Sequence, residues 1–152
     1  MTIAVLLLAV GCSSYEYKDD EMGMRWKPPP GVKLESATKE GDVTVARFTG
    51  GVEVRRVNSP ALSGADGLDA LKTAILAASK ATAQGKVKNA KDGTVPAGPV
   101  ARWELTTHDD HTLLYYMAAK DHYFVMTLTA PEDGFYKRSD KFELSMSSLK
   151  LK

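Results

Sequence analysis

Thr112-Leu113-Leu114-Tyr115-Tyr116-Met117-Ala118 and Tyr123-Phe124-Val125-Met126-Thr127-Leu128-Thr129 are joined by Ala119-Lys120-Asp121-His122. Both runs are rich in aromatic, β-branched and aliphatic residues, and a short polar connection between such runs predicts an antiparallel hairpin. An antiparallel strand with one wet face alternates apolar and polar positions. These two are apolar at nearly every position, so each is expected in mid-sheet with cover on both faces.

The hairpin leads into Pro131-Glu132-Asp133, the sequence of a helix start. Proline lacks the N–H that a first turn leaves unused, and acids suit the positive end of the dipole. Phe135, Ser139, Phe142, Met146 and Leu149 then form one stripe, with Lys137, Arg138 and Lys141 pointing outward. Leu149-Lys150-Leu151-Lys152 follows as an edge strand or a fraying tail.

Upstream, Val100–Thr107 puts Ala101, Trp103 and Leu105 on one face. Lys86–Lys91 reads as a weak strand closed by a turn at Asp92-Gly93. Leu68, Leu71, Ile75 and Ala78 make a second helical stripe, capped by Ser63 or Asp66 and ended at Gln84-Gly85. Before it, Met22–Lys27, Val32–Glu35, Val43–Phe48 and Val52–Val57 read as four successive antiparallel strands, and Tyr15–Lys18 as a short one ahead of them. Pro28-Pro29-Pro30-Gly31 and Gly50-Gly51 mark turns. The predicted fold class is α+β, an antiparallel sheet sandwiched by helices.

At the front of the chain, Ile3–Val10 is an uncharged apolar run ending at Gly11-Cys12. It is too short to span a bilayer, which takes about 20 apolar residues, and has the length of a signal-peptide core. Ala9-Val10-Gly11-Cys12 resembles the lipobox of bacterial lipoproteins, although no Lys or Arg precedes the run. The resemblance implies cleavage between Gly11 and Cys12 and acylation of the Cys12 thiol. It divides the chain into a signal peptide (1–11), the lipidated Cys and a polar tether (12–21), and a globular domain (22–152). Ser13 after the Cys implies delivery to the outer membrane, facing the periplasm, by resemblance to the usual sorting rule.

Residues 22–151 resemble the Mog1/PsbP-like domain in the order of their elements. Met22–Pro30 is similar to its opening strand and Pro-rich turn, Tyr123–Phe135 to its late strand ending Thr-Ala-Pro before an acidic helix start, and Phe142–Leu149 to its closing helix. The resemblance implies an α/β/α sandwich and a binding or assembly role, as in subunits of photosystem II. It implies no catalytic residue.

Composition excludes several classes. Twenty Lys+Arg against nineteen Asp+Glu leave a net charge of +1, with both signs mixed along the chain. Nucleic-acid binding, which needs clustered cations, is not expected. One cysteine permits no internal disulfide and no Cys-based metal or redox site. No serine lies in a Gly-x-Ser-x-Gly setting and no glycine-rich phosphate loop is present, so an enzyme is not expected. Nor is a cofactor. Trp26, Trp103, Tyr115 and Tyr116 could line a ligand cleft, but large aromatics in sheets more often fill the core.

The one constellation with metal chemistry is His108-Asp109-Asp110-His111. If Asp109-Asp110 is a two-residue turn, His108 and His111 face each other across the strands at about 5 Å. They could then share a divalent ion with Asp109 or Asp110. A solvated loop is the plainer reading, because Asp favours turns by itself. Two function classes follow. The first is a lipid-anchored, monomeric, non-enzymatic module that binds an envelope protein. The second is a metal or small-ligand carrier built on His108 and His111.

Overall fold

A computed structural model describes residues 15–59, 69, 70, 73, 86–106 and 109–152; for residues 86–94 and 99 it places the backbone alone. Ten strands and one helix are defined among them. They are β1 (Tyr17–Asp19), β2 (Met24–Trp26), β3 (Leu34–Glu40), β4 (Val43–Phe48), β5 (Val52–Val57), β6 (Lys86–Val95), β7 (Gly98–Thr106), β8 (Asp110–Ala118), β9 (Tyr123–Pro131), the helix Glu132–Met146, and β10 (Lys150–Leu151). Seven strands make one antiparallel sheet in the order β3-β4-β5-β9-β8-β7-β6. The chain leaves this sheet at Val57 and re-enters at its far edge with Lys86. It then returns as a meander that ends with β9 against β5. Asp69, Ala70 and Thr73 are helical, and Thr73 Oγ1 donates to the Asp69 carbonyl at 2.9 Å. The rest of the helix expected over 66–84 lies outside the described residues, as do residues 1–14.

The quoted hairpin occupies the middle of the sheet, as its composition requires. Leu113 through Met117 are buried one after another, so β8 is covered on both faces. In β9 the pattern is cleaner: Phe124, Met126, Leu128 and Ala130 are buried and the residues between them half-buried. On one face Phe124, Met126, Leu113 and Tyr115 join Phe135, Phe142 and Met146 of the helix in the main core. On the other, Ala101, Trp103, Leu114 and Tyr116 form a smaller cluster. Tyr116 and Tyr123 meet there with ring centres 5.3 Å apart, and burial pushes the Tyr116 hydroxyl pKa up to about 12.

Three expectations need correction. Met24–Trp26 does not extend the large sheet; it is the middle strand of a separate sheet ordered β1-β2-β10. The three prolines supply no ladder donors, so pairing cannot continue from β2 into β3. The small sheet instead lays Tyr17, Met24 and Trp26 onto the core. Trp26 packs edge-on between Phe48 at 5.5 Å and Phe142 at 5.8 Å. Among the described residues, then, one face of the sheet is covered by a helix and a small sheet together, rather than by a helix alone.

Asp92-Gly93 is no turn either. It runs inside β6 opposite Ala101 and Val100, and the chain reverses at Pro96-Ala97. There Gly98, at φ 130°, opens β7. Finally, Pro131 closes β9 opposite Asp110, and the continuous helix begins only after Gly134, whose φ is 90°. The expected stripe of Phe135, Ser139, Phe142, Met146 and Leu149 is buried throughout.

The C-terminal strand is fastened at its end. Lys152 Nζ donates to Asp20 Oδ1 at 2.7 Å, and the Lys152 amide donates to the Gly23 carbonyl at 2.9 Å. The hydrogen bond from Lys152 holds the Asp20 carboxyl below its ordinary pKa. A carboxylate whose folded pKa is lowered stabilises the fold above its unfolded pKa, and this contribution is lost as pH falls through the folded value. The protection of the Lys152 amide, taken relative to the intrinsic exchange rate at each pH, should therefore fall when pH drops below the usual carboxylate range. Asp20→Asn should remove that pH dependence, and an unchanged profile in the variant would contradict the assignment.

Candidate binding cleft and the buried histidine

Between β2 and β3 the Pro28-Pro29-Pro30-Gly31 loop stands as a ridge. Proline fixes φ, so the ridge is stiff by composition. The left-handed φ of 84° at Gly31 lets the Val32 amide donate back to the Pro29 carbonyl at 3.0 Å. Both ends are pinned. The Lys27 amide donates to Ser148 Oγ at 2.9 Å, and Trp26 Nε1 to Ser145 Oγ at 3.2 Å. On the far side the Lys33 amide donates to Thr49 Oγ1 at 3.0 Å.

A cleft of about 320 Å³ opens between the ridge and the helix, with Val32, Val52, Leu128 and Phe142 lining it and Arg138 and Lys141 at its rim. A second hollow of about 370 Å³ lies on the other side of the same prolines, between Lys27, Lys141, Leu144 and Ser148. The nearby hydroxyls are already engaged: Ser145 donates to the Phe142 carbonyl, Ser148 to that of Ser145, and Thr49 to that of Gly31. The cations are not. Among the described residues, Lys27, Arg138 and Lys141 have no partner for their charged groups. The arrangement suits a ligand that offers apolar surface to the walls and negative charge to the rim.

The expected metal constellation is not assembled in the way its spacing suggested. Thr106, not His108, is the cross-strand partner of His111. Asp110 already belongs to β8, opposite Pro131, so Asp109-Asp110 is not a two-residue turn. Asp109 is exposed, and His108 lies outside the described residues. The reason is register: pairing His108 with His111 would shift the partners of β8 by two positions and move Leu113 and Tyr115 away from Glu104 and Arg102.

His111 is instead buried beneath the first turn of the helix, its ring 5.1 Å from Phe135. Its Nδ1 lacks a hydrogen-bond partner and stands 3.9 Å from the buried carboxylate of Glu104, while Nε2 stands 3.8 Å from Glu132. Tyr136 donates to Glu104 Oε1 at 3.3 Å, and that carboxylate's charge raises the Tyr136 pKa. His122 sits at the opposite end of the strands, against Asp121 at 2.6 Å, and does not join. Among the described residues no group of three His, Cys, Asp or Glu side chains is placed to hold a metal ion.

Gly11 and Cys12, the residues of the lipobox reading, lie outside the described residues. No described helix is long and apolar enough to cross a membrane. Sequence reasoning placed Lys137, Arg138 and Lys141 outward but missed the cleft, because nothing in the spacing of Pro28–Pro30 says which element the ridge will face. Trp26, Trp103, Tyr115 and Tyr116 are all core residues.

A seven-stranded antiparallel sheet is backed by a C-terminal helix, with a short N-terminal sheet completing that layer, in an α+β domain. Cyanobacterial PsbP (CyanoP) from Synechocystis, whose solution structure is known, has this fold. It matches with a TM-score of 0.61 at 16% sequence identity, over 95% of this chain and 96% of that one. At that identity the likeness concerns the fold alone. A crystal structure of a protein from Bacteroides thetaiotaomicron aligns at a TM-score of 0.45 and 10% identity, over 86% of this chain and 45% of the other, and carries no argument. No protein-family model and no curated protein matches the sequence.

Proposed function

We propose that the chain is a lipid-anchored envelope protein that works by binding rather than by catalysis, with the cleft beside Pro28–Pro30 as its binding element. The observation that carries this reading is the pair of uncommitted cations, Arg138 and Lys141, over an apolar wall. Like charges three residues apart on a helix and without counter-ions are unfavourable, and an anionic group arriving beside them relieves the repulsion. Walls of aliphatic and aromatic side chains with a few placed charges are the ordinary makeup of a binding site. The acylated Cys12 supplies the membrane hold in this reading. One acyl chain anchors only marginally, so the hold takes two or more. The PsbP-like fold is compatible with a binding role but does not assign one.

The test is photocrosslinking in the producing bacterium. A benzophenone amino acid at position 144, where Leu144 is 75% exposed at the edge of the second hollow, should capture a defined adduct. Arg138→Glu with Lys141→Glu should reduce capture at least tenfold without changing the amount of protein. Capture that survives both charge reversals would rule out the cleft as the binding element.

The metal alternative rests on His111 and His108. Its test is a Zn²⁺ titration followed by thermal unfolding. A structural zinc stabilises by mass action, by about 2.7 kcal/mol at a hundredfold excess over Kd. An unmoved Tm in wild type, equal to that of His111→Gln, would remove this alternative.

A further inference from the structure

We infer that the ligand of the cleft is the anionic phospholipid surface of the membrane that holds the anchor, so that the proline ridge and its three cations form the membrane-facing side of the domain. The inference rests on the proposed function and names the partner of that same cleft.

Two observations carry it. The first is where the chain leaves the described fold. β1 and β2 are antiparallel, with Tyr17 opposite Trp26, so the residues before Tyr17 emerge beside Lys27 and Pro28. Two residues, Ser13 and Ser14, lie between Cys12 and Tyr15, so three chain steps give a reach of at most about 11 Å at full extension. A lipid on Cys12 therefore holds this end of the molecule, and not the far edge at β6, against the headgroups.

The second is the chemistry of that end. Lys27, Arg138 and Lys141 are exposed and have no counter-ion among the described residues. Beside them stand Leu144, 75% exposed, and Tyr15, 44% exposed, two of the few large apolar side chains open to solvent. Basic residues with an aliphatic and an aromatic side chain are the composition of an interfacial docking face: anionic headgroups attract the cations, and the apolar groups enter the headgroup boundary. Of the three acids nearby, one is already paired. Glu16 is exposed next to the tether and Asp140 on the helix, while Glu143 is engaged with Arg102. The acidic cluster Asp19-Asp20-Glu21 sits at the other end of β1, where Asp20 pairs with Lys152 and Glu21 with Lys39. Cations without counter-ions thus stand at the tether end, whereas acids and cations are paired at the other end.

The test uses the mature, lipid-bearing chain with Leu144→Cys. Cys12 is the only native cysteine and is blocked by the lipid, so the new thiol alone takes a nitrobenzoxadiazole label. The protein is reconstituted into vesicles of phosphatidylcholine, with or without phosphatidylglycerol. The expected result is a blue-shifted dye, quenched by spin-labelled lipid, in the anionic vesicles only. Each of Lys27→Glu, Arg138→Glu and Lys141→Glu should weaken the effect about fivefold. High salt should weaken it too.

A dye that stays water-exposed on protein that floats with both vesicles overturns the inference while leaving the anchor intact. So does a dye that is shielded only when envelope proteins are added, which would mark an acidic protein segment as the occupant. Protein that floats with neither vesicle overturns the anchor reading and this inference together. Circular dichroism on each charge variant separates lost docking from lost folding.

Discussion

Gly51→Ala is expected to destabilise the fold by about 2–5 kcal/mol, far more than the same change at its neighbour Gly50. Both glycines have left-handed backbones, with φ of 79° and 77°. For any L-residue that conformation costs about 1–2 kcal/mol. What separates them is space. A Cβ at Gly51 would lie 2.0 Å from the Thr129 carbonyl oxygen, whereas at Gly50 it would meet nothing within 4 Å. The obstacle is backbone in the central strand, and the Thr129 amide donates to the Gly51 carbonyl at 2.9 Å, so neither side can yield without breaking the contact between β5 and β9. Overpacking adds about 1–3 kcal/mol. With whole-domain stability on the order of 5–15 kcal/mol, Gly51→Ala should lower the urea midpoint severely and Gly50→Ala only modestly. Equal midpoints for the two variants would contradict the register between β5 and β9.

Trp26→Ala should cost about 3–5 kcal/mol, the range for emptying a buried aromatic site. Trp26 is fully buried, meets Phe48 and Phe142 edge-on, and donates its indole N–H to Ser145. It is the contact through which the small sheet, the large sheet and the helix share one core. The same side chain precedes Lys27 and the proline ridge, so its loss should also release one wall of the cleft. Trp26→Phe keeps most of the packing and loses the hydrogen bond, and should cost about 1–3 kcal/mol. Thermal melts of the two variants decide the matter. A Trp26→Ala protein as stable as Trp26→Phe would mean that the N-terminal sheet is not packed on the core.

Much of this fold is legible in the residues. Val43–Phe48 and Val52–Val57 form strands at the expected bounds because alternation and flanking glycines agree. The helix stripe from Phe135 to Met146 is written at helical spacing, and every member is buried. The central hairpin is legible for the same reason: its apolar density has no place except mid-sheet. Assignment fails where local signals compete. Asp92-Gly93 has turn chemistry, yet pairing with Ala101 and Val100 overrides it. Met24-Arg25-Trp26 alternates like any other strand, and nothing in three residues says which sheet it will join.

The candidate site was harder to read. Its parts come from a proline loop near the start and a helix near the end, brought together by Trp26 and two serines that carry no motif. His111 illustrates the opposite case: its residue type suggested chemistry, and register placed it in the core beside Glu104. Glu104 itself gave no signal, since a glutamate within an alternating strand reads as a solvent-facing residue. Here that face of β7 is covered, by the Phe135–Tyr136 end of the helix.

The most direct test of the central claim is the intact mass of the protein isolated from bacterial membranes, wild type beside Cys12→Ser. The account predicts that the wild type begins at residue 12 and carries added acyl mass, while the Ser variant retains residues 1–11 and gains none. A wild-type chain with an unmodified thiol would leave the domain without its anchor and contradict the proposal at its root.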